Sequence, residues 1–252
     1  MTENALGFGV DIGGSGVKGA VVDLRTGDFV GEQVTVATPQ PATPEAVAEV
    51  VAQIVRQCEW AGPVGITVPS VITQQVALTA ANIDPSWVGA NVREVFSAAL
   101  QGSNVAVLND ADAAGLAEVA FGDEAARSGA VVFLTFGTGI GSAFLMDGTL
   151  FPNTELGHML IDGAEAEQFA SSAARDREAL NYSQWAQRVD RVLHEFSKLF
   201  NPTAFVVGGG ISQNADQWVP LLTVDVPVVP AALRNRAGIV GAAMAARDHV
   251  AP

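Results

Sequence analysis

Apolar residues fall in short runs along the whole chain, each closed by glycine, proline or an Asp/Asn turn, and the runs alternate with stretches of helical period. That alternation marks an α/β chain. The first 36 residues predict three strands, Leu6–Val10, Gly19–Leu24 and Phe29–Val36, the last two joined by the turn Arg25-Thr26-Gly27-Asp28. A Pro-rich loop, Thr38-Pro39-Gln40-Pro41, leads to a helix with Thr43 as N-cap and Pro44 in its first turn. This helix should run to about Cys58, with Val47, Val50, Val51, Ile54 and Val55 on one face. Val64–Val68 predicts a buried strand ending at Pro69. Further on, Val105–Leu108 predicts a strand and Ala111–Ala120 a helix opened by Asn109-Asp110. Ala130–Phe136 and Ser142–Met146 predict strands on either side of a glycine loop. Residues 175–200 carry one amphipathic helical pattern through Trp185, Val189, Val192, Leu193 and Phe196. Ala204–Val207 then reads as a buried strand running into Gly208-Gly209-Gly210, and Gly238–Arg247 as a small-residue helix.

An internal repeat organises these elements. Residues 8–30 run strand, Gly-rich loop, strand, Thr-Gly turn, strand, and residues 131–151 repeat that plan with an Asp-Gly turn. The segment from Asp11 through Gly13, Gly14, Ser15 and Gly16 takes the place that Thr135 to Gly141 takes in the second copy. A pair of such loops, each opening its half of an α/β chain, predicts a duplicated domain with a cleft between the halves. The expected division is a smaller N-terminal domain over 1–108 and a larger C-terminal domain over 109–252, whose last helix is free to pack back on the first.

Composition narrows the function. The chain has 252 residues, 27 acidic and 13 basic side chains, and a formal net charge of −14. A duplex nucleic-acid binder needs a basic face, so this balance argues against one. Cys58 is the single cysteine, which excludes an intramolecular disulfide and a cysteine-built zinc or iron–sulfur site and suits a reduced, cytoplasmic compartment. Met1-Thr2-Glu3-Asn4 predicts no secretory signal, and the uncharged stretches 60–83 and 129–146 are too broken by Gly, Pro, Gln and Asn to predict a membrane span.

Gly14-x-Gly16-x-x-Gly19 matches the dinucleotide fingerprint in form only, because that fingerprint needs a helix directly after the loop. Here Ala20-Val21-Val22-Asp23-Leu24 follows, which predicts a hairpin. Glycines at a hairpin tip let backbone N–H groups converge on an anion. Lys18 adds a positive charge, and Asp11 could hold magnesium through water. One such loop is explained by a tight turn with a solvated lysine; the pair favours phosphate binding. In the second loop Thr135, Gly137, Thr138 and Gly139 offer hydroxyls and free N–H groups to a phosphate donor. Gly209 and Gly210 allow close approach of a ligand or, equally, a packed glycine turn. Asp110 stands at the end of a buried strand, where α/β sheets bind ligands, and could take the proton of an attacking hydroxyl. Asn and Asp are also favoured N-caps, so catalysis and capping both stay open, with Asp112 read as structural. Glu155 and His158 could exchange hydrogen bonds with a polyhydroxylated ligand; a di-iron reading of Glu-x-x-His lacks its further ligands.

Taken together, Val10–Gly19, Leu108–Gly115, Leu134–Gly141 and Glu155–His158 resemble the ROK family of sugar kinases, four motifs in order across essentially the whole chain. The resemblance implies the duplicated actin-like/sugar kinase (ribonuclease H-like) α/β fold. Thr38-Pro39-x-Pro41-Ala42-Thr43-Pro44, Ala80-Ala81-Asn82-Ile83-Asp84 and Ala237–Ala243 are similar to its polyphosphate glucokinase branch. By that resemblance Asp110 is the base that activates the sugar hydroxyl. Asn82, Asn109, Asp110, Glu155, His158 and Glu167 ring the glucose, and Gly209 and Gly210 border an adenosine subsite. It further implies polyphosphate or ATP as donor, Mg²⁺, mannose as a possible second acceptor, and a homodimer. Three departures stand out. No cysteine follows His158, so the family's structural zinc is not expected; Pro69-Ser70 replaces Pro-Gly; and Ser212–Trp218 lacks the basic residues usual in that branch. An ATP-dependent glucose or mannose kinase and a sugar-sensing ROK regulator are the alternatives, the regulator disfavoured by the expected first strand near Leu6. Residues 1–174 balance to −15 and residues 175–252 to +1, which predicts that Arg175, Arg177, Arg188, Arg191, Lys198, Arg234 and Arg236 serve the donor side.

Overall fold

The computed structural model describes residues 5–80 and 83–248. It divides into two compact units, residues 1–117 with 236–252, and residues 118–235. In the first unit β1 (Leu6–Ile12), β2 (Gly16–Asp23) and β3 (Asp28–Ala37) precede α1 (Pro44–Gln57) and β4 (Val64–Val68). A small hairpin, β5 (Ile72–Thr73) and β6 (Val76–Ala77), is followed by α2 (Val92–Ala99), β7 (Val105–Asn109) and α3 (Asp110–Phe121), which runs on into the second unit. That unit holds β8 (Ala130–Phe136), β9 (Ile140–Met146), β10 (Thr149–Phe151), and the hairpin β11 (Leu160–Ile161) and β12 (Ala164–Glu165). Three helices, α4 (Ala166–Ala170), α5 (Ser172–Arg177) and α6 (Tyr182–Phe200), lead to β13 (Ala204–Gly208) and β14 (Val228–Pro230). The chain then returns to the first unit as α7 (Ala237–Asp248).

The repeat is structural. The first sheet has the order β3-β2-β1-β4-β7 and the second β10-β9-β8-β13-β14. In each, three consecutive antiparallel strands are extended by two parallel ones.

The first sheet shows how a period of two sorts residues between its faces. Phe8, Val10 and Ile12 of β1 and Val64, Ile66 and Val68 of β4 pack with Val47, Val51 and Ile54 of α1 in one core. The intervening Gly9 and Gly65 meet α7: a Cβ on either would stand 1.8 or 1.7 Å from its backbone oxygens. Small residues on both sides, including Ala242, Ala245 and Ala246, let helix and sheet approach this closely. The small-residue composition of α7 is therefore a packing requirement.

Two expectations change. The loop between the first strands is shorter than the glycine run suggests, because Ile12 pairs with Val17 and β2 begins at Gly16. The single helix expected over 175–200 is two helices. Ala179 adopts φ +50°, and Asn181 opens α6 with a capping box to Gln184. Among the described residues no helix is long and apolar enough to cross a membrane.

Candidate functional site

In the first unit the glycine loop is a hairpin tip followed by a strand, which removes the dinucleotide reading. Gly13 N–H donates to the Gly16 carbonyl at 3.0 Å, and the Thr38 hydroxyl donates to the Gly13 carbonyl at 2.6 Å. Gly14 and Ser15 stay exposed at the tip. Asp11 and Lys18 are register partners, so their side chains leave the same face of the sheet. Buried Thr67 donates its hydroxyl to Asp11 Oδ1 at 2.7 Å, fixing the carboxylate beside the loop. An oriented carboxylate next to a glycine turn fits the preference of Mg²⁺ for oxygen donors and retained water.

At the C-terminal end of β7 the contacts show which residue caps α3. Asn109 is buried, and its side-chain oxygen accepts from the N–H groups of Ala111 and Asp112 at 2.8 and 3.2 Å. Its amide donates to the Ser70 carbonyl at 3.2 Å. Capping thus falls to Asn109. Asp110, the first residue of α3, is exposed, with one oxygen accepting its neighbour's N–H, from Ala111, at 2.9 Å. Asp112 is fully buried. Ser70 anchors the β5–β6 hairpin by donating to the Thr79 carbonyl at 2.7 Å, a task glycine could not perform. Asn82 lies outside the described residues.

In the second unit Gly137, Thr138 and Gly139 form the matching tip, with Thr135 half-buried at the strand end. Gly137 N–H donates to the Gly139 carbonyl at 3.0 Å, and the Gly137 carbonyl accepts from Ala173 N–H at 3.0 Å. An aromatic group holds its base: Phe136 lies 5.6 Å from Trp185 and 6.0 Å from Trp218, ring to ring. Gly209 has φ +84° and packs against the backbone of Phe136, while Gly210 faces open space. Residues Gly210–Gln217 continue as two short 3₁₀ turns kinked at Asn214, without a basic side chain.

Glu155, His158 and Glu167 come together. Ser142 is buried on β9; it donates to the Thr154 carbonyl at 2.7 Å and accepts from Leu156 N–H at 3.0 Å, tying down the turn that carries Glu155 and His158. Gly157 makes the turn possible, since a Cβ there would stand 2.2 Å from the Ile140 carbonyl oxygen. His158 Nε2 is 3.8 Å from Glu155, and its Nδ1 is 3.5 Å from Glu165 and 3.8 Å from Glu167. Glu167 also accepts from Ile140 N–H at 3.1 Å, so it touches the second glycine loop as well. Partial burial pushes the Glu155 carboxyl above its ordinary range; His158 opposes the shift and Glu167 adds to it. Glu165 escapes sequence reasoning, because only the β11–β12 hairpin brings it back to His158. The donor atoms of His158, Glu165 and Glu167 lie within 4.8 Å of one another, a mixed nitrogen–oxygen set able to hold a cation.

The basic residues expected to serve the donor are mostly engaged elsewhere. Arg175 pairs with Asp176, Arg177 and Arg188 with Glu178, Arg191 with Asp162 and Glu195, and Lys198 with Glu195. Arg236 pairs with Asp28 in the first unit.

The ROK family profile matches residues 7–171. A polyphosphate glucokinase of Mycobacterium tuberculosis (strain CDC 1551 / Oshkosh) is 54% identical over 239 residues, covering 95% of this chain and 90% of that protein. The crystal structure of an inorganic polyphosphate/ATP-glucomannokinase from Arthrobacter sp. strain KM superposes with a TM-score of 0.92 at 48% identity, covering 98% of this chain and 100% of that one. A ROK family glucokinase from Streptomyces griseus, in complex with glucose and AMPPNP, gives a TM-score of 0.82 at 25% identity, with 96% and 99% coverage.

Proposed function

The chain belongs to the ROK family of the actin-like/sugar kinase fold, and from that premise we propose that it is a glucokinase that transfers a phosphoryl group from inorganic polyphosphate or ATP to the 6-hydroxyl of glucose. The observation that carries the mechanism is the division of labour at the head of α3. Asn109 caps the helix, and the exposed carboxylate of Asp110, the first residue of α3, serves as the base. The 6-hydroxyl oxygen attacks the terminal phosphorus, the bond to the leaving phosphate breaks, and the hydroxyl proton passes to Asp110. Such proton transfer contributes about 10²- to 10⁴-fold in rate. Most of the remaining acceleration is alignment and charge stabilisation, as in other phosphoryl transfers.

Glu155, His158 and Glu167 accept and donate hydrogen bonds to sugar hydroxyls, with Asn109 and Asn82 as further sugar contacts. Backbone N–H groups of the two glycine tips, with Lys18 and Thr138, bind the donor phosphates, and Gly209 and Gly210 border the nucleoside when ATP is used. Asp11 would hold Mg²⁺ through water, where the ion would neutralise donor charge. Mannose as a second acceptor, a homodimer and a reduced cytoplasmic setting complete the reading, the last in keeping with a lone cysteine.

One observation favours a second reading, an ATP-dependent kinase with little polyphosphate activity: the segment Gly210–Gln217 has no cation, and Arg175 and Arg191 are paired with carboxylates. A coupled glucose 6-phosphate assay with chain-length-defined polyphosphate, ATP and GTP separates the two. Turnover with polyphosphate supports the first reading; turnover with ATP alone selects the second; none with any donor sinks both.

A further inference from the structure

The chain leaves the first unit between Ala117 and Glu118, inside α3, and returns between Asn235 and Arg236. Glu118, the first residue past the outward crossing, is 1% exposed. Its carboxylate accepts from the N–H groups of Ala232 at 2.9 Å and Leu233 at 2.8 Å, which lie just ahead of the return crossing. One buried carboxylate therefore ties α3 to residues 232–233. Gly122 keeps the space for it: a Cβ there would stand 2.3 Å from Glu118 Oε2. On the other side of the return crossing, Arg236 is held by Asp28 at 2.9 Å and lies over the Phe29 ring. Only Arg234 and Asn235 remain between these anchors, and Arg234 has left-handed backbone, φ +52°. Helix α3 carries Asp110 as its first residue and Glu118 about two turns later, so one rigid element holds both.

We propose that Glu118 is a positioning residue for phosphoryl transfer: by fixing residues 232–233 to α3 it holds the helix that carries Asp110 in its reactive alignment. The proposal rests on the kinase reading above. A misplacement of about 1 Å caused by a change far from the chemistry can cost about 10²-fold. A carboxylate with a purely structural task would lower stability and leave the turnover of folded molecules intact.

Two variants of the full chain test this. Glu118→Gln is isosteric but offers one accepting oxygen to two N–H donors, so one bond is lost. Gly122→Ala keeps the carboxylate but displaces it, and its Cβ, 2.5 Å from the Glu118 carbonyl oxygen, also shifts the end of α3. For each, kcat and glucose KM are measured on folded protein, alongside amide exchange over residues 230–234. Both variants should exchange these amides at least about tenfold faster and lose about tenfold or more in kcat, while KM stays within about threefold. Normal kcat with faster exchange makes Glu118 merely structural, and unchanged exchange removes the tie; either result overturns the proposal. If Gly122→Ala does not fold, Glu118→Gln carries the test alone. An inactive wild type would overturn the kinase reading and this proposal with it, whereas an active wild type with unaffected variants overturns this proposal only.

Discussion

Replacing Ser142 by alanine probes the support of the proposed sugar site around Glu155 and His158 without touching any proposed ligand. Ser142 is 1% exposed, and its hydroxyl bridges the Thr154 carbonyl at 2.7 Å and the Leu156 N–H at 3.0 Å, on either side of Glu155. Alanine removes both bonds and leaves two half-buried backbone groups without that partner. At about 1 kcal/mol net for each bond, the loss is about 2 kcal/mol. Where the loss is global, a chain of this size melts about 5 °C lower. Where the turn instead loosens locally, the same 2 kcal/mol or so limits the rise in glucose KM to about 30-fold. Thermal unfolding and a glucose titration in the coupled assay read the two shares, and kcat should stay near the wild-type value because Asp110 is untouched. A melting temperature within about 1 °C of wild type together with an unchanged KM would refute the claim that Ser142 holds this turn.

Other outcomes follow from the charges. Burial raises the Glu155 carboxyl, so glucose KM should climb on acidification at a higher pH than an ordinary carboxylate would give, and Glu155→Gln should remove that limb. The linkage sign agrees: a raised folded-state value means that ionised Glu155 costs stability as pH rises past the unfolded value. Glu155→Gln should therefore melt above wild type at neutral pH and match it near pH 4, about the unperturbed carboxylate value, a pattern that melting curves at the two pH values check. Arg191 already neutralises Asp162 and Glu195. Arg191→Gln should accordingly leave polyphosphate KM within about twofold, and a steep rise would return the arginines to the donor site.

Much of this was legible in the chain because local pattern and tertiary role coincide. Alternating large residues and glycines in β1 and β4 mark a strand with a side-chain core on one face and a helix pressed close on the other. The absence of a helix after Gly16 was enough to discard the dinucleotide reading. The rest depends on contacts that no local pattern encodes. Residues 175–200 keep one amphipathic period, yet the positive φ of Ala179 and the cap at Asn181 break it. Helix α2 buries only Val92 and Phe96, too sparse a stripe to predict. Glu165 and Glu118 find their partners through a hairpin and a chain return, and the arginines expected at the donor are claimed by carboxylates brought near by folding.

The central claim is that Asp110 is the base in phosphoryl transfer to glucose. Its most direct test is Asp110→Asn, measured in parallel by the coupled assay and by glucose binding. The account predicts a loss of about 10²- to 10⁴-fold in turnover with glucose still bound, because the amide keeps the shape and the Asn109 cap but cannot take the proton. Turnover near the wild-type rate would contradict it.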